Sequence, residues 1–283
     1  MLQKYPKTRS EMNDKITQID IERIIKGKSE RLHRILPRFV INYIRRIIHE
    51  NEINDILKRY YGANGIDFAN GVMKDFNVAF NVHNEDKIPD AGKLIIASNH
   101  PLGGFDGLAL ISLISRYRKN IKFPVNDFLM HIPNLQDIFI PINKVGTNSV
   151  ELARRFDEIF CSDSDILYFP AGICSRRIDG KIQDLEWKKT FVTKAKQFHR
   201  DILPIYFSGK NSNFFYNLAY LRKKLRIKVN IEMAYLPDEL FKQKNSSYDI
   251  YIGNLIDSKL LTSDKSDFQW AQEIRKRVYA LPL

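Results

Sequence analysis

From about Asp75 onward the chain alternates short apolar segments with amphipathic stretches, and this alternation limits the fold more than any other feature. Val78–Val82, Lys93–Ser98, Asp137–Ile142, Asp165–Phe169, Ile202–Phe207, Arg226–Ala234 and Tyr248–Ile252 have the length and composition of strands. Leu108–Tyr117, Ser149–Phe160, Trp187–His199 and Phe214–Leu225 have helical spacing; in the last, Phe214, Leu218, Leu221 and Leu225 share a face. Strands separated by helices of this length predict an α/β domain with a mixed, largely parallel sheet flanked by helices.

The first third reads as helical instead, which divides the chain into a basic helical segment, 1–74, and a domain, 75–283. Leu36-Pro37 opens a helix, because proline is tolerated in a first turn. Phe39, Val40, Tyr43, Ile44, Ile47 and Ile48 follow as an apolar stripe with Arg38, Arg45 and Arg46 around it. Such a stripe either packs on the protein's own core or lies in a bilayer interface. A second helix spans about Glu52 to Tyr60 and stops near Gly62.

Charge narrows the class of partner. The formal net charge is +12, with 14 Lys and Arg against 8 Asp and Glu in residues 1–60. Six basic residues and no acidic ones lie between Lys210 and Lys228. A surplus of this kind points to an anionic partner such as a membrane surface, a nucleic acid or an acidic carrier. Cys161 and Cys174 form neither a disulfide framework nor a zinc-like cluster, which fits a reducing cytoplasm. No segment has the roughly 18 apolar residues of a spanning helix, and the first residues lack the apolar core of a signal peptide. The expected location is therefore cytoplasmic, peripheral on the inner face of the cell membrane.

Two clusters carry chemistry. The first is Asn99-His100-Pro101-Leu102-Gly103-Gly104-Phe105-Asp106, set between an apolar strand and an apolar helix. Imidazole takes a proton near neutral pH, and a carboxylate fixes its tautomer and stabilises its cation. Gly103-Gly104 gives the chain freedom to fold Asp106 back on His100. The second cluster, Phe169-Pro170-Ala171-Gly172 followed by Arg176-Arg177, again leaves a strand and offers backbone amides and guanidinium groups to an anion. Lys144 stands just past the strand that holds Phe139, and Leu203-Pro204-Ile205 forms an apolar strand with a proline. There is no P-loop, no dinucleotide fingerprint and no nucleophile elbow, so nucleotide hydrolysis and serine-hydrolase chemistry lack their marks.

In this order the clusters resemble the glycerolipid and lysophospholipid acyltransferase family over roughly residues 75–235. Asn99-His100 and Asp106 are similar to its histidine–aspartate block, and Phe139 to Lys144 to its second block. Phe169-Pro170-Ala171-Gly172 matches three of the four positions of Phe-Pro-Glu-Gly, and Leu203-Pro204-Ile205 resembles the fourth block. There are two departures: five residues rather than four separate His100 from Asp106, and Ala171 stands where the family has glutamate. The form Asn-His-Pro-x-Gly-Gly-x-Asp resembles the hemolysin-like and aminolipid (ornithine or glycine lipid) branch.

The resemblance implies acyl transfer from a thioester, on acyl carrier protein or coenzyme A, to a hydroxyl of a lyso-lipid, either a lyso-aminolipid or lysophosphatidic acid. His100 is then the general base and Asp106 its orienting partner. Asn99, Gly103, Gly104, Lys144, Phe169, Pro170, Gly172, Arg176 and Arg177 are the expected substrate-binding residues. Neither metal nor cofactor is expected, because a thioester is already activated, and no nucleic acid is expected as partner. Two rival readings are a catalytically impaired membrane-associated scaffold of the same fold and a nucleic-acid-binding protein built on Phe214-Phe215-Tyr216 beside Arg222-Lys223-Lys224. The second leaves His100 and Asp106 unexplained.

Overall fold

The computed structural model describes residues 18–125, 129–141 and 149–283. Among the described residues five helices precede the first strand: α1 (Ile21–Lys28), α2 (Glu30–Ile35), α3 (Arg38–Ile48), α4 (Glu50–Arg59) and α5 (Gly65–Asp75). Strands β1 (Ala79–His83) and β2 (Leu94–Ser98) precede α6 (Gly104–Ile114), then β3 (Ile121–Val125), β4 (Phe139–Pro141), α7 (Ser149–Cys161) and β5 (Asp165–Tyr168). A small antiparallel hairpin, β6 (Arg176–Ile178) and β7 (Lys181–Gln183), leads to α8 (Thr190–Phe198) and β8 (Asp201–Phe207). The chain ends with α9 (Asn213–Lys224), α10 (Leu236–Phe241), β9 (Ser247–Ile252) and α11 (Asp267–Ala280).

Seven strands form one sheet in the order β1-β9-β8-β2-β5-β3-β4. Every neighbouring pair is parallel except β8 with β9, so the sheet is mixed and largely parallel, as the alternation predicts. β2 lies near its centre and is buried along its whole length, because both of its faces are covered. Successive side chains of a strand point to opposite faces. Leu94 and Ile96 accordingly join the core that contains Phe68 and Met73 of α5 and Leu110 of α6. Ile95 and Ala97 join the other core, with Phe191 of α8 and Ile274 of α11.

The sequence-based assignment needs correcting at several points. Arg226–Ala234 is not a strand: the chain runs exposed there until a short 3-10 turn, Ile231–Tyr235. Its apolar and basic residues alternate as in a strand, yet both faces meet solvent and no sheet edge takes it up. β3, which carries Pro124, and the helices α5 and α11 escape the sequence reading. α8 begins at Thr190, with Trp187 buried in the loop before it, and α6 begins at Gly104. In α3 the buried residues are Ile41 and Ile48, whereas Phe39 is 74% exposed. Among the described residues no helix is long and apolar enough to cross a membrane.

Candidate active site

β2 and β5 run parallel in register, Ala97 beside Tyr168, so the loops that leave them emerge together at one end of the sheet. That end, where strands finish, is the usual place for a site in such folds. It brings the histidine block and the Phe169 block side by side.

His100 leaves β2 and meets Asp106 in the first turn of α6, with Nδ1 3.0 Å from Asp106 Oδ1. The other carboxylate oxygen of Asp106 accepts the Leu102 N–H at 2.9 Å. Asp106 is fully buried, so two donors of the same turn fix both its oxygens. A carboxylate can only accept, so Nδ1 carries the proton toward Asp106, which leaves Nε2 as a lone pair with no hydrogen-bond partner among the described residues. The turn is possible because Gly103 adopts φ +82°, a conformation that disfavours side chains; a Cβ there would also meet Leu236 at 3.0 Å. The first amides of α6 have no acceptor within the helix and form the positive end of its dipole.

The imidazole of His100 stacks on Phe169, with ring centroids 4.0 Å apart and planes inclined by 17°. Behind it, the main-chain carbonyl of His100 accepts the Ser175 N–H at 2.7 Å. Its own N–H donates to Asp184 Oδ1 at 3.2 Å, an oxygen that also receives the Ser175 hydroxyl at 2.6 Å. Trp187 Nε1 donates to Asp184 Oδ2 at 2.9 Å. Burial pushes the pKa of Asp184 above the usual carboxylate value, and its donors from Ser175, Trp187 and His100 oppose that rise. Asp184 carries no local sequence signal, because its partners lie as far away as His100 and Tyr279.

The remaining expected residues divide. Asn99 is buried and faces β8, where its amide donates to Phe207 O and accepts from Phe207 N as a strand residue would. Pro170 and Ala171 are buried, and the turn they form is closed by Gly172 N–H donating to Phe169 O. The Lys188 N–H donates to Pro170 O, and the exposed Lys188 side chain arches over Gly172. Arg176 turns into the protein: one guanidinium nitrogen donates to Cys174 O and another to Glu232 Oε1 at 2.9 Å. Glu232, also fully buried, forms an ion pair with Arg222 as well, Nε to Oε2 2.8 Å, without hydrogen-bond geometry. Arg177 is exposed beside α9, donating to Asn213 and Asn217. Lys144 lies outside the described residues. Phe215 and Tyr216 are buried in the core, which leaves Phe214 as the exposed ring of that trio. Among the described residues no group of three or more His, Cys, Asp or Glu side chains is placed to hold a metal ion.

A buried carboxylate holding an imidazole at a helix N-terminus has the parts that general-base chemistry uses, beside a place where negative charge is favoured. The family described as "Acyltransferase" matches residues 23–282. A lyso-glycine lipid O-acyltransferase of Phocaeicola vulgatus is 43% identical over 270 residues, covering 95% of this chain and 97% of that protein. The protein of the same description from Bacteroides thetaiotaomicron is 39% identical over 270 residues, covering 95% of this chain and 99% of its own. Among solved structures, the 1-acyl-sn-glycerophosphate (LPA) acyltransferase PlsC from Thermotoga maritima aligns with TM-score 0.46 and 17% identity, over 86% of this chain and 92% of that one.

Proposed function

This chain belongs to the acyltransferase family, and from that premise we propose that it moves a fatty acyl group from a thioester to the hydroxyl of a lyso-lipid, with His100 as general base. The observation that carries the reading is the 3.0 Å bond between His100 Nδ1 and the buried carboxylate of Asp106. In the proposed step, His100 Nε2 takes the acceptor's hydroxyl proton as the oxygen attacks the thioester carbonyl. The carbonyl oxygen becomes an oxyanion beside the first amides of α6. Collapse of the tetrahedral intermediate breaks the C–S bond, and the departing thiolate takes the proton from the imidazolium. Proton transfer of this kind contributes about 10²–10⁴ in rate.

The acceptor we propose is a lyso-aminolipid of the glycine type, the lipid for which the two relatives are named. Its head-group carboxylate would meet Arg177 and the Lys188 ammonium over the Ala171-Gly172 turn. With Ala171 at the glutamate position, no carboxylate of the third block repels that anion. Arg176, already paired with Glu232, is assigned to holding the loop instead. The acyl donor, acyl carrier protein or coenzyme A, carries phosphate that the basic surface attracts. We further propose that the protein sits on the inner, anionic face of the membrane. Exposed apolar residues, among them Phe39, Leu225 and Val229, and the cations between Lys210 and Lys228 support that placement.

The experiment is acyl transfer by purified protein beside His100→Ala, with acyl carrier protein and coenzyme A thioesters offered to lyso-glycine lipid and lysophosphatidic acid. Product lost in the variant, with lyso-glycine lipid preferred, is the expected result. Equal product from folded His100→Ala would end the general-base assignment.

A further inference from the structure

Asp184 lies on no motif of the chain, yet it is fully buried behind the histidine block. Its carboxylate accepts three bonds, from the His100 N–H, the Ser175 hydroxyl and the Trp187 indole N–H. The two N–H groups can only donate, and they take one oxygen each. Its main chain is held equally: the Asp184 N–H donates to Tyr279 Oη at 2.7 Å, and Arg275 donates to its carbonyl at 2.6 Å. The C-terminal helix α11 thereby reaches the residue that grips the catalytic turn.

We propose that Asp184 is a positioning residue for acyl transfer: it clamps the main chain of His100 to the Ser175 loop and supplies a second buried negative charge behind the imidazolium. The inference rests on His100 acting as the base. During transfer the ring of His100 becomes a cation, and a charge fixed in advance in buried surroundings stabilises it without reorganisation. Asp106 holds the ring directly; Asp184 acts through the main chain and through space. Among the described residues, Cys174, Tyr206, Tyr279 and Arg275 are titratable groups that stand around Asp184, and Tyr248, also raised by burial, stands beside Asp106. Burial raises the first three above their ordinary values, so they stay neutral near pH 7. Arg275 contacts the main chain of Asp184, not its carboxylate. Asp106 and Asp184 are thus the carboxyl groups that His100 meets.

The test separates charge from packing. Asp184→Asn alone would aim an amide donor at another donor, so it is combined with Trp187→Phe, which removes the indole N–H. Expected for this pair is a kcat lower by about tenfold with KM within about twofold, and an acidic limb of the kcat profile moved roughly one unit to lower pH. The sign follows from losing an anion: the imidazolium is less favoured, so the base stays free to lower pH. A lower melting temperature with kcat and limb unchanged would mean a structural role only and overturn the proposal. Ser175→Ala, which deletes a single oxygen, guards against misfolding of the Asp184 variants; an unchanged kcat there also overturns it. Amide hydrogen exchange at His100 is read in parallel, without any turnover. If wild-type protein transfers no acyl group, the base assignment has failed; protection at His100 kept in Asp184→Ala would remove the clamp independently.

Discussion

His100 and Phe169 lie face to face, centroids 4.0 Å apart, although 69 positions separate them in the chain. The ring of Phe169 is held from its far side by Phe123 of β3, edge-on with centroids 5.3 Å apart. The imidazole of His100 is therefore backed by an aromatic column that starts inside the sheet. Offset and edge-on pairs of this kind contribute about 0.5–1.5 kcal/mol each beyond burial.

Gly107 shows what keeps that column in place. A Cβ at this position would stand 2.8 Å from Phe123 Cε1 and 3.7 Å from Phe169 Cε2. Gly107→Ala must push the column toward His100 or away from α6. The expected cost is about 1–3 kcal/mol of stability, the range for overpacking a core. The urea midpoint should fall, and kcat should fall more than the stability loss explains at a temperature where the variant is folded.

Asp106→Asn tests the tautomer. The carboxylate accepts from both His100 Nδ1 and the Leu102 N–H, whereas an amide offers one acceptor and one donor to the same two groups. One bond must break or the imidazole must switch tautomer and lose its free Nε2. A kcat lower by at least about 10² is expected, the low end of general-base catalysis, with KM little changed. Steady-state kinetics on the folded variant reads both.

Much of this site is legible in the sequence because its parts are local. The histidine, its aspartate and the glycines between them lie within one strand-to-helix turn, and Phe169-Pro170 follows the next strand in the sheet. Asp184 is not legible for the opposite reason: Ser175 and Trp187 are near it, but the partners that tie it to the site and to the last helix, His100 and Tyr279, lie 84 residues before it and 95 after it. Arg176 and Arg177 look alike as neighbours, but successive residues of a strand face opposite ways, so one pairs with buried Glu232 and the other faces solvent. The segment from Leu225 to Val229 has a strand's period but no edge to join. Periodicity reports what a segment can bury, not whether a partner exists.

Glu232 carries two arginines in a buried setting, Arg176 at 2.9 Å and Arg222 at 2.8 Å. Removing one member of a buried ion pair costs about 3–5 kcal/mol, because the remaining charge has lost its counter-ion. Glu232→Ala should therefore lower the denaturation midpoint strongly. Since Arg176 is next to Ser175, it should also loosen the loop that bonds His100. Arg222→Ala, which leaves Glu232 still paired with Arg176, should cost less. Equilibrium unfolding of the two variants ranks them.

The two cysteines should differ sharply as thiols. Cys161 is exposed, whereas burial pushes the Cys174 thiol up to about 11. Thiolate is the reactive form, so Cys161 alkylates in native protein at pH 8 and Cys174 only after unfolding. The folded pKa of Cys174 lies above its unfolded value, so the stability that this group contributes is complete below about pH 8.5. It is lost as pH rises toward 11, where the buried thiol would have to ionise. Mass spectrometry after native and denatured labelling checks the first statement, and an alkaline melting series checks the second.

The exposed segment beyond α9 gives the last prediction. Leu225 is 60% and Val229 70% exposed, and Lys223, Lys224, Arg226 and Lys228 are interleaved with them. If this segment meets the bilayer, the two residue types act by different forces. Each lysine near an anionic surface contributes about 1 kcal/mol, a term that salt screens within a Debye length of about 10 Å at 0.1 M. Burying Leu225 and Val229 contributes through apolar area, about 25 cal/mol per Å², and is insensitive to salt by comparison. Lys223→Ala with Lys224→Ala should therefore weaken binding to anionic vesicles by roughly tenfold or more at low salt and hardly at all at high salt. Leu225→Ser with Val229→Ser should weaken it at every salt concentration and on neutral vesicles too. Flotation assays on the two double variants decide the point. Unchanged binding by the serine pair would confine the membrane contact to its charges.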